Sequence, residues 1–398
     1  RFSTGLVVTE IAVSCALLVA AGFMIQSVVN LGRVDLGFDP SGVMTGRIGV
    51  FDADYPDRGS RDQFFGLLKE RLEAEPGVSA AALGAHLPGL GSFTYFLGVE
   101  GKTYPTDRDY PAANATLISS DYFGTFGVDF LEGRDFTGLE TQMGGDPALI
   151  VNQSFRDRHL GDGEALGRRV RLGVSGSTEP WMTVVGVVPD MHVGGGVGGL
   201  GDDHLSPERI FLPKGLYDHR YYSLAVATSG PPEAMAGRLR EIVAELDPNL
   251  PVYDLAPLDD AIEQATWAFR LFGVQFSVFG GLALFLATVG LYGVMAFSVS
   301  QRRQEMGVRM ALGAERTSII RLVLGRGGVQ LGVGTMLGLA IGATMGGSMR
   351  YILYGVEVGD PKVYATIVVA LLASGFLACI LPARAATRVD PVEAMRRG

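Results

Sequence analysis

Chemistry on phosphate would begin at Gly101-Lys102-Thr103, the end of the stretch GVEGKT. A phosphate-binding loop needs another glycine five positions earlier, because successive backbone N–H groups must close around the phosphate oxygens. That position holds Phe96, so the cradle is missing and the match is fortuitous. The run GGGVGGLG, Gly194 to Gly201, satisfies G-x-G-x-x-G twice after a strand-like segment. A dinucleotide fingerprint also requires a helix immediately afterwards, to aim its N-terminus at the pyrophosphate. Here DDHLSPERI follows, with a proline and no apolar period, and the glycines read as a surface loop. His86, His159, His192, His204 and His219 lack metal-ligand spacing with cysteine or carboxylate residues. Asp202, Asp203 and His204 read as a solvated loop, and neither G-x-S-x-G nor H-E-x-x-H occurs. These residues imply no catalytic constellation, no metal and no cofactor.

A different signal lies in SVSQRRQEMGVRMALGAERTSIIRLVLGRGG, Ser298 to Gly328. Six arginines and two glutamates are interleaved with Met306, Val308, Met310 and Leu312, and the segment turns at Gly313. A helix with apolar anchors and basic flanks fits a groove on a protein partner, with Arg302, Arg303, Arg309 and Arg316 steering the encounter. The same composition fits a helix held on an anionic lipid surface.

What positions this segment is apolar chain on both sides. Of 398 residues, 47% are aliphatic or aromatic and 19% charged, below the ~25% usual in soluble domains. The apolar residues gather near 5–31, 271–299, 327–349 and 363–382. Each cluster holds roughly 20 residues or more, enough at ~1.5 Å rise to cross a ~30 Å hydrocarbon core. Four transmembrane helices are expected. The first, GLVVTEIAVSCALLVAAGFMIQSVVNL, is long for a signal-peptide apolar region and lacks a small-x-small cleavage site, so it reads as an anchor. A start at Arg1 points to a piece of a longer protein.

Basic residues in the short loops set the orientation. The 301–326 loop and the tail after Pro382, with Arg384, Arg388, Arg396 and Arg397, belong in the cytoplasm. The first helix then runs outward and the region from about 33 to 270 lies outside. That region is the acidic part of a chain of net charge −9 and carries no basic patch suited to nucleic acid. Both cysteines, Cys15 and Cys379, fall in apolar spans as packing residues, so the outer domain has no disulfide.

The outer region alternates strand and helix signals without strict order, giving an α+β domain of two lobes, the second starting near Asp146. VMTGRIGVF, TYFLGVEG, AANATLIS, PALIV, WMTVVGVVPDM and YYSLAVATS read as strands. SRDQFFGLLKERLEAEPG reads as a helix with Ser60 as N-cap, and PPEAMAGRLREIVAELDP as a second. From Leu258 the chain has no helix breaker until deep in the second span, so that helix is expected to project outward as a stalk. In the third span, Gly328, Gly332, Gly334, Gly338, Gly342 and Gly346 recur mostly every fourth residue, a face that lets another helix approach closely in lipid. Glu10 lies near the inner end of the first span.

These features together resemble the FtsX-like permeases of ABC transporters, in particular the MacB-type branch. The coupling motif of that family appears as Glu305-Met306-Gly307-Val308-Arg309-Met310-Ala311-Leu312-Gly313-Ala314, and its end signature as PARAATRVDPVEAMRRG. ISSDYFGTFGVDFLEGRDF, ALIVNQSFRDRHLGDGEALGRRVRLG and WMTVVGVVPDM are similar to the family's periplasmic core, and VVTEIAVSCALLVAAGFMIQSVVNL to its opening helix. The resemblance implies a membrane protein of the bacterial inner membrane. Transmembrane helix 1 covers 1–32, a periplasmic core domain 33–257, a stalk and helix 2 258–300, a coupling loop 301–326, helices 3 and 4 327–382, and a cytoplasmic tail 383–398.

It further implies a permease without enzymatic activity of its own, driven by a cytoplasmic ABC ATPase dimer and paired with a second permease unit, either as a homodimer or as the other half of a duplicated chain. A periplasmic adaptor is the remaining partner. The implied role is to turn ATP-driven motion into periplasmic movement for export of drugs, peptides or lipid-linked molecules. The rival role passes that motion to a cell-wall hydrolase or a sensor kinase, which division-type relatives do with a much smaller outer domain.

Overall fold

The computed structural model describes residues 2–33, 35–161, 163–191, 207–301, 315–349, 353 and 355–386. It forms two compact units, Val34–Trp267 and a second made of Arg1–Arg33 with Ala268–Gly398. Among the described residues the longer helices are α1 Phe2–Leu31, α2 Arg58–Glu73, α3 Met235–Leu246, α4 Leu258–Gln301, α5 Arg316–Met349 and α6 Pro361–Ala386. The strands are β1 Val43–Gly49, β2 Val78–Gly84, β3 Phe93–Val99, β4 Ala112–Ile118, β5 Glu132–Gly133, β6 Ala148–Asn152, β7 Arg169–Leu172, β8 Met182–Val188, β9 Arg209–Pro213, β10 Tyr221–Thr228 and β11 Tyr253–Pro257.

Among the described residues, the eleven strands of the Val34–Trp267 unit belong to one sheet, with two differently built parts. The first part is open and antiparallel, in the order β11-β1-β10-β2. Helices α2 and α3 pack into its core: Phe65, Leu68 and Leu72 from one and Leu239, Ile242 and Val243 from the other join Met44, Ile48, Leu83, Leu224 and Val226. The second part closes on itself through β4-β3-β7-β8-β6-β9, because β9 returns to pair in parallel with β4. The two parts meet at the single pairing of Gly84 with Ile118. A second apolar cluster, with Tyr122, Phe123, Phe126 and Phe211 at its centre, lies against Ala82, Ile118 and Ala225.

This arrangement corrects the expected boundary near Asp146. The closed part runs from β3 to β9 and is inserted between β2 and β10, so the first part is completed only when the chain returns. Local patterning identifies strands but not their partners, and β10 had no sequence mark tying it to β1 and β2. Helix α2 also differs in its start. Asp57, in extended conformation, accepts a hydrogen bond from the Ser60 backbone N–H, while the Ser60 hydroxyl donates to the Asp57 carbonyl. Asp57 is the N-cap, and Ser60 lies inside the helix. The segment NQSFRDRHLG forms a single helical turn, Gln153–Phe155, followed by a wider turn over Arg156–Leu160.

The second unit is a helix bundle. Among the described residues four helices are long and apolar enough to cross a membrane: Gly5–Asn30, Leu258–Gln301, Gly327–Met349 and Pro361–Ile380. Helix α4 has 44 residues, about 66 Å at ~1.5 Å per residue, roughly twice what a ~30 Å hydrocarbon core requires.

Candidate functional site in the helix bundle

Helix α1 is the centre of the bundle. Val7, Ile11, Cys15, Val19 and Phe23 recur every fourth residue and are each at most 1% exposed. Residues four apart share one helix face, so these five form a single stripe. The glycines of α5 lie against it in the same order. A Cβ built on Gly334 would stand 2.7 Å from Ile11 Cβ, one on Gly342 2.8 Å from Val19 Cβ, and one on Gly346 2.7 Å from a Phe23 ring carbon. One on Gly338 would meet Cys15 and come within 2.6 Å of the Ala12 carbonyl oxygen. No side chain fits at these distances; the glycines permit backbone-to-side-chain packing, which drives helix association where no hydrophobic force operates. Gly328 and Gly332 of the same sequence run face open space.

The pairing order fixes relative direction. Ile11, Cys15, Val19 and Phe23 ascend with Gly334, Gly338, Gly342 and Gly346, so α1 and α5 are parallel. Helix α4 opposes α1, with Gly273 against Val28, Gly280 against Ala21, and Gly290 against Glu10. The Ser14 hydroxyl donates to the Ala283 carbonyl in the same interface, at 3.0 Å. Helix α6 opposes both: Gly22 of α1 faces Val363 and Ile367, while Gly375 and Cys379 of α6 face Leu331 and Gly327 of α5.

The ends of the bundle are therefore distinct. At one end α4 finishes at Gln301 and α5 begins at Arg316, beside the start of α1; Val7, Met295, Leu331 and Cys379 share one apolar cluster there. At the other end α1 finishes at Leu31, and polar contacts hold the α5–α6 connection: Gln26 Nε2 donates to Asp360 at 3.0 Å and Asn30 Nδ2 to the Gly355 carbonyl at 2.6 Å. That hydrogen bond from Gln26, before the Lys362 backbone contribution, lowers the Asp360 pKa.

Most of the sequence-level coupling site falls in the connection between α4 and α5. Glu305, Met306, Gly307, Arg309, Met310, Ala311, Leu312, Gly313 and Ala314 all lie outside the described residues, as do Arg302 and Arg303. Gly194 to Gly201 and the Asp202-Asp203-His204 group lie outside them too. Among the described residues no group of three or more His, Cys, Asp and Glu side chains could hold a metal. Sequence reasoning missed the partners of α1 on its other sides, Gly22, Gly273, Gly280 and Gly290. Their signal was present as scattered glycines in apolar spans, without the four-residue spacing that makes α5 conspicuous.

Comparison with known proteins identifies the family of the chain. The family profile of the MacB-like periplasmic core domain matches residues 4–251, and that of the FtsX-like permease C-terminal region matches residues 277–391. The chain is 26% identical over 301 residues to the macrolide export ATP-binding/permease protein MacB of Shigella sonnei, covering 72% of this chain and 44% of that protein. The protein of the same name from Escherichia coli K12 is 25% identical over 301 residues, with the same coverage. The chain thus spans less than half the length of these relatives. Among solved structures, the periplasmic region of MacB from Actinobacillus actinomycetemcomitans aligns over 57% of this chain and 93% of its own, at 16% identity and a TM-score of 0.37. With family profiles covering both the outer unit and the helix bundle, the chain belongs to the FtsX-like, MacB-type family of ABC transporter permeases.

Proposed function

We propose that this chain is the permease unit of an ABC exporter that works by transmitting motion, with ATP hydrolysed on a separate nucleotide-binding protein. The observation that carries the reading is the opposition of the bundle's two ends. The 302–314 connection joins α4 to α5 at one end, whereas the Val34–Trp267 unit is joined through Arg33 and Ala268 at the other. A push on the first end reaches α1 and α5, whose glycine contacts leave no room for a side chain between them, so these two move as one body. The alternation of directions, with α1 and α5 parallel and α4 and α6 opposed, supports four spans with the outer domain inserted between the first and second.

In this reading Glu305 to Ala314 dock on a cytoplasmic ABC ATPase dimer, with Met306, Met310 and Leu312 as apolar anchors and Arg309 as the charged contact. The membrane is the bacterial inner membrane, the outer domain is periplasmic, and a second permease unit completes the transporter. The cargo class is drugs, peptides or lipid-linked molecules, handled on the periplasmic side. Replacing Leu312 or Gly313 by a bulky charged residue should abolish ATPase association and transport while leaving the bundle folded. Unchanged association would remove these residues from the interface. Co-purification with a cell-wall hydrolase or sensor kinase would transfer the output of the motion from cargo to regulation.

A further inference from the structure

Within the Val34–Trp267 unit a cavity of about 480 Å³ lies between β1, β10, β11, the turn after β2 and the first turns of α4. Small-molecule sites commonly fall between ~300 and ~1,000 Å³ and combine apolar walls with a few placed polar groups. Leu87 and Leu90 come from the turn, and Ala261 and Ala265 from α4, where a spacing of four puts both on one helix face. Between them Ile262 packs on Gly89 of the turn, where a Cβ would come within 2.8 Å, so turn and helix are held together.

The unmet polar group of this wall is His86. Among the described residues its Nδ1 is the one buried side-chain nitrogen or oxygen of this unit without a hydrogen-bond partner. The residue is fixed where it stands. Its backbone N–H donates to the Thr116 hydroxyl at 3.1 Å, and its carbonyl accepts from the Tyr122 hydroxyl at 3.0 Å. The ring stands edge-on to Phe93, with centroids 4.5 Å apart. A Cβ built on Gly91 would lie 2.8 Å from Cδ2 and 3.5 Å from Nε2, so that bond of the ring is turned toward Gly91, which does not line the cavity. The ring atom opposite that bond is Nδ1, on the side left to the cavity. A buried nitrogen without a partner costs free energy that a hydrogen-bonding occupant would return.

The lining carries no net charge. Burial first, then His219 and Arg47, pushes His86 down to about 4, so its imidazole is neutral at physiological pH. The charged lining residues are Arg47 and Asp254, both exposed and 3.8 Å from each other, so their charges offset. A cation or an anion would give up its hydration among apolar walls with no net opposite charge to replace it. The remaining polar side chains that line the cavity, Thr45, Ser223 and Gln264, are uncharged.

We propose that this cavity binds a small uncharged amphiphile bearing a hydroxyl, with its apolar body on Leu87, Leu90 and Ala261 and its hydroxyl on His86 Nδ1. A hydroxyl both donates and accepts, so it serves either tautomer of the neutral imidazole. The inference rests on the Val34–Trp267 unit alone. No ATPase is needed for binding, and an empty cavity and a failure of coupling at 302–314 are separate results.

The test uses the full chain in lipid nanodiscs and four fluorinated probes followed by ¹⁹F NMR: 4-(trifluoromethyl)benzyl alcohol and the matching toluene, benzylamine and benzoate. Saturable binding of the alcohol is expected, about fivefold tighter than the toluene, the scale of one neutral hydrogen bond, and tighter than either charged probe. His86→Phe keeps an aromatic ring in place and should erase the advantage of the alcohol over the toluene, a ratio that altered packing alone would not move. Ala261→Phe fills the cavity and should abolish saturable binding of both, leaving only partition into lipid. Ala265→Phe repeats that block from the next turn, and thermal unfolding of each variant verifies its fold. Non-saturable alcohol binding, binding unchanged in both filled variants, an alcohol advantage retained in His86→Phe, or tighter binding of the toluene, the amine or the benzoate would overturn the proposal.

Discussion

Gly290 lies directly against the Glu10 side chain: a Cβ added at position 290 would come within 2.9 Å of the Glu10 carboxyl carbon. The absence of a side chain on α4 is what allows a carboxylate to fold between two helices. Gly290→Leu should therefore push the Glu10 carboxylate, the far end of a flexible side chain, out of its place, at a cost of up to about 1–3 kcal/mol as for other overpacked sites. Glu10→Gln, which keeps the shape, should leave the thermal midpoint nearly unchanged. Thermal unfolding of the purified chain in lipid nanodiscs distinguishes them.

The glycine seam of α5 gives an internal control. Gly338→Leu and Gly342→Leu insert side chains where Cys15 and Val19 already stand, whereas Gly332→Leu points into open space. The first two should lower the thermal midpoint and the third should not, and a helix-forming leucine at 332 is expected to be neutral or mildly stabilising. Equal effects at 332 and 342 would remove the seam as the contact that matters.

The start of α2 supplies a smaller measurable term. Asp57→Ala removes the oxygen that accepts the Ser60 N–H and should cost about 1 kcal/mol, typical of a lost N-cap. Ser60→Ala removes only a hydroxyl that donates to the Asp57 carbonyl and should cost less. Denaturant or thermal unfolding of both variants checks the order.

Two partly buried groups in the Val34–Trp267 unit pull stability in opposite directions with pH. His86 titrates at about 4 when folded, held down first by burial, against an ordinary 6.5. Between those values the unfolded chain binds the extra proton, so the stability His86 contributes is complete above 6.5 and is lost as pH falls toward 4. Asp135 titrates at about 6, raised first by burial, against 3.8. Its folded form holds the proton more tightly, so its contribution is complete below 3.8 and is lost as pH rises through 6. His86→Phe should flatten stability on the acid side of neutrality, and Asp135→Asn should steepen the gain from pH 4 to 6. Thermal midpoints across pH 4–7 carry both signs.

Much of the architecture was legible because its signals are local. VMTGRIG and YYSLAVAT announce strands, and the four-residue recurrence from Gly334 to Gly346 announces a close helix contact before any partner is known. Which helix fills that contact was not legible. Helix α1 is apolar around most of its circumference, so nothing in its sequence distinguishes the Ile11–Phe23 stripe from its other faces. The two-residue β5 offers no pattern at all. The cavity beside Ser223 was equally hidden, since it exists only once β10, β11 and α4, distant in sequence, are brought together.

The register of β10 on β2 sets Ser223 opposite Gly84. The chain thus departs and comes back at neighbouring points, and the whole ring of strands between them hangs from one doorway in the sheet. Such a module can be enlarged, trimmed or exchanged by evolution while the scaffold around it keeps its strand order. Relatives with the same frame and a different ring would then present a different surface on an unchanged scaffold.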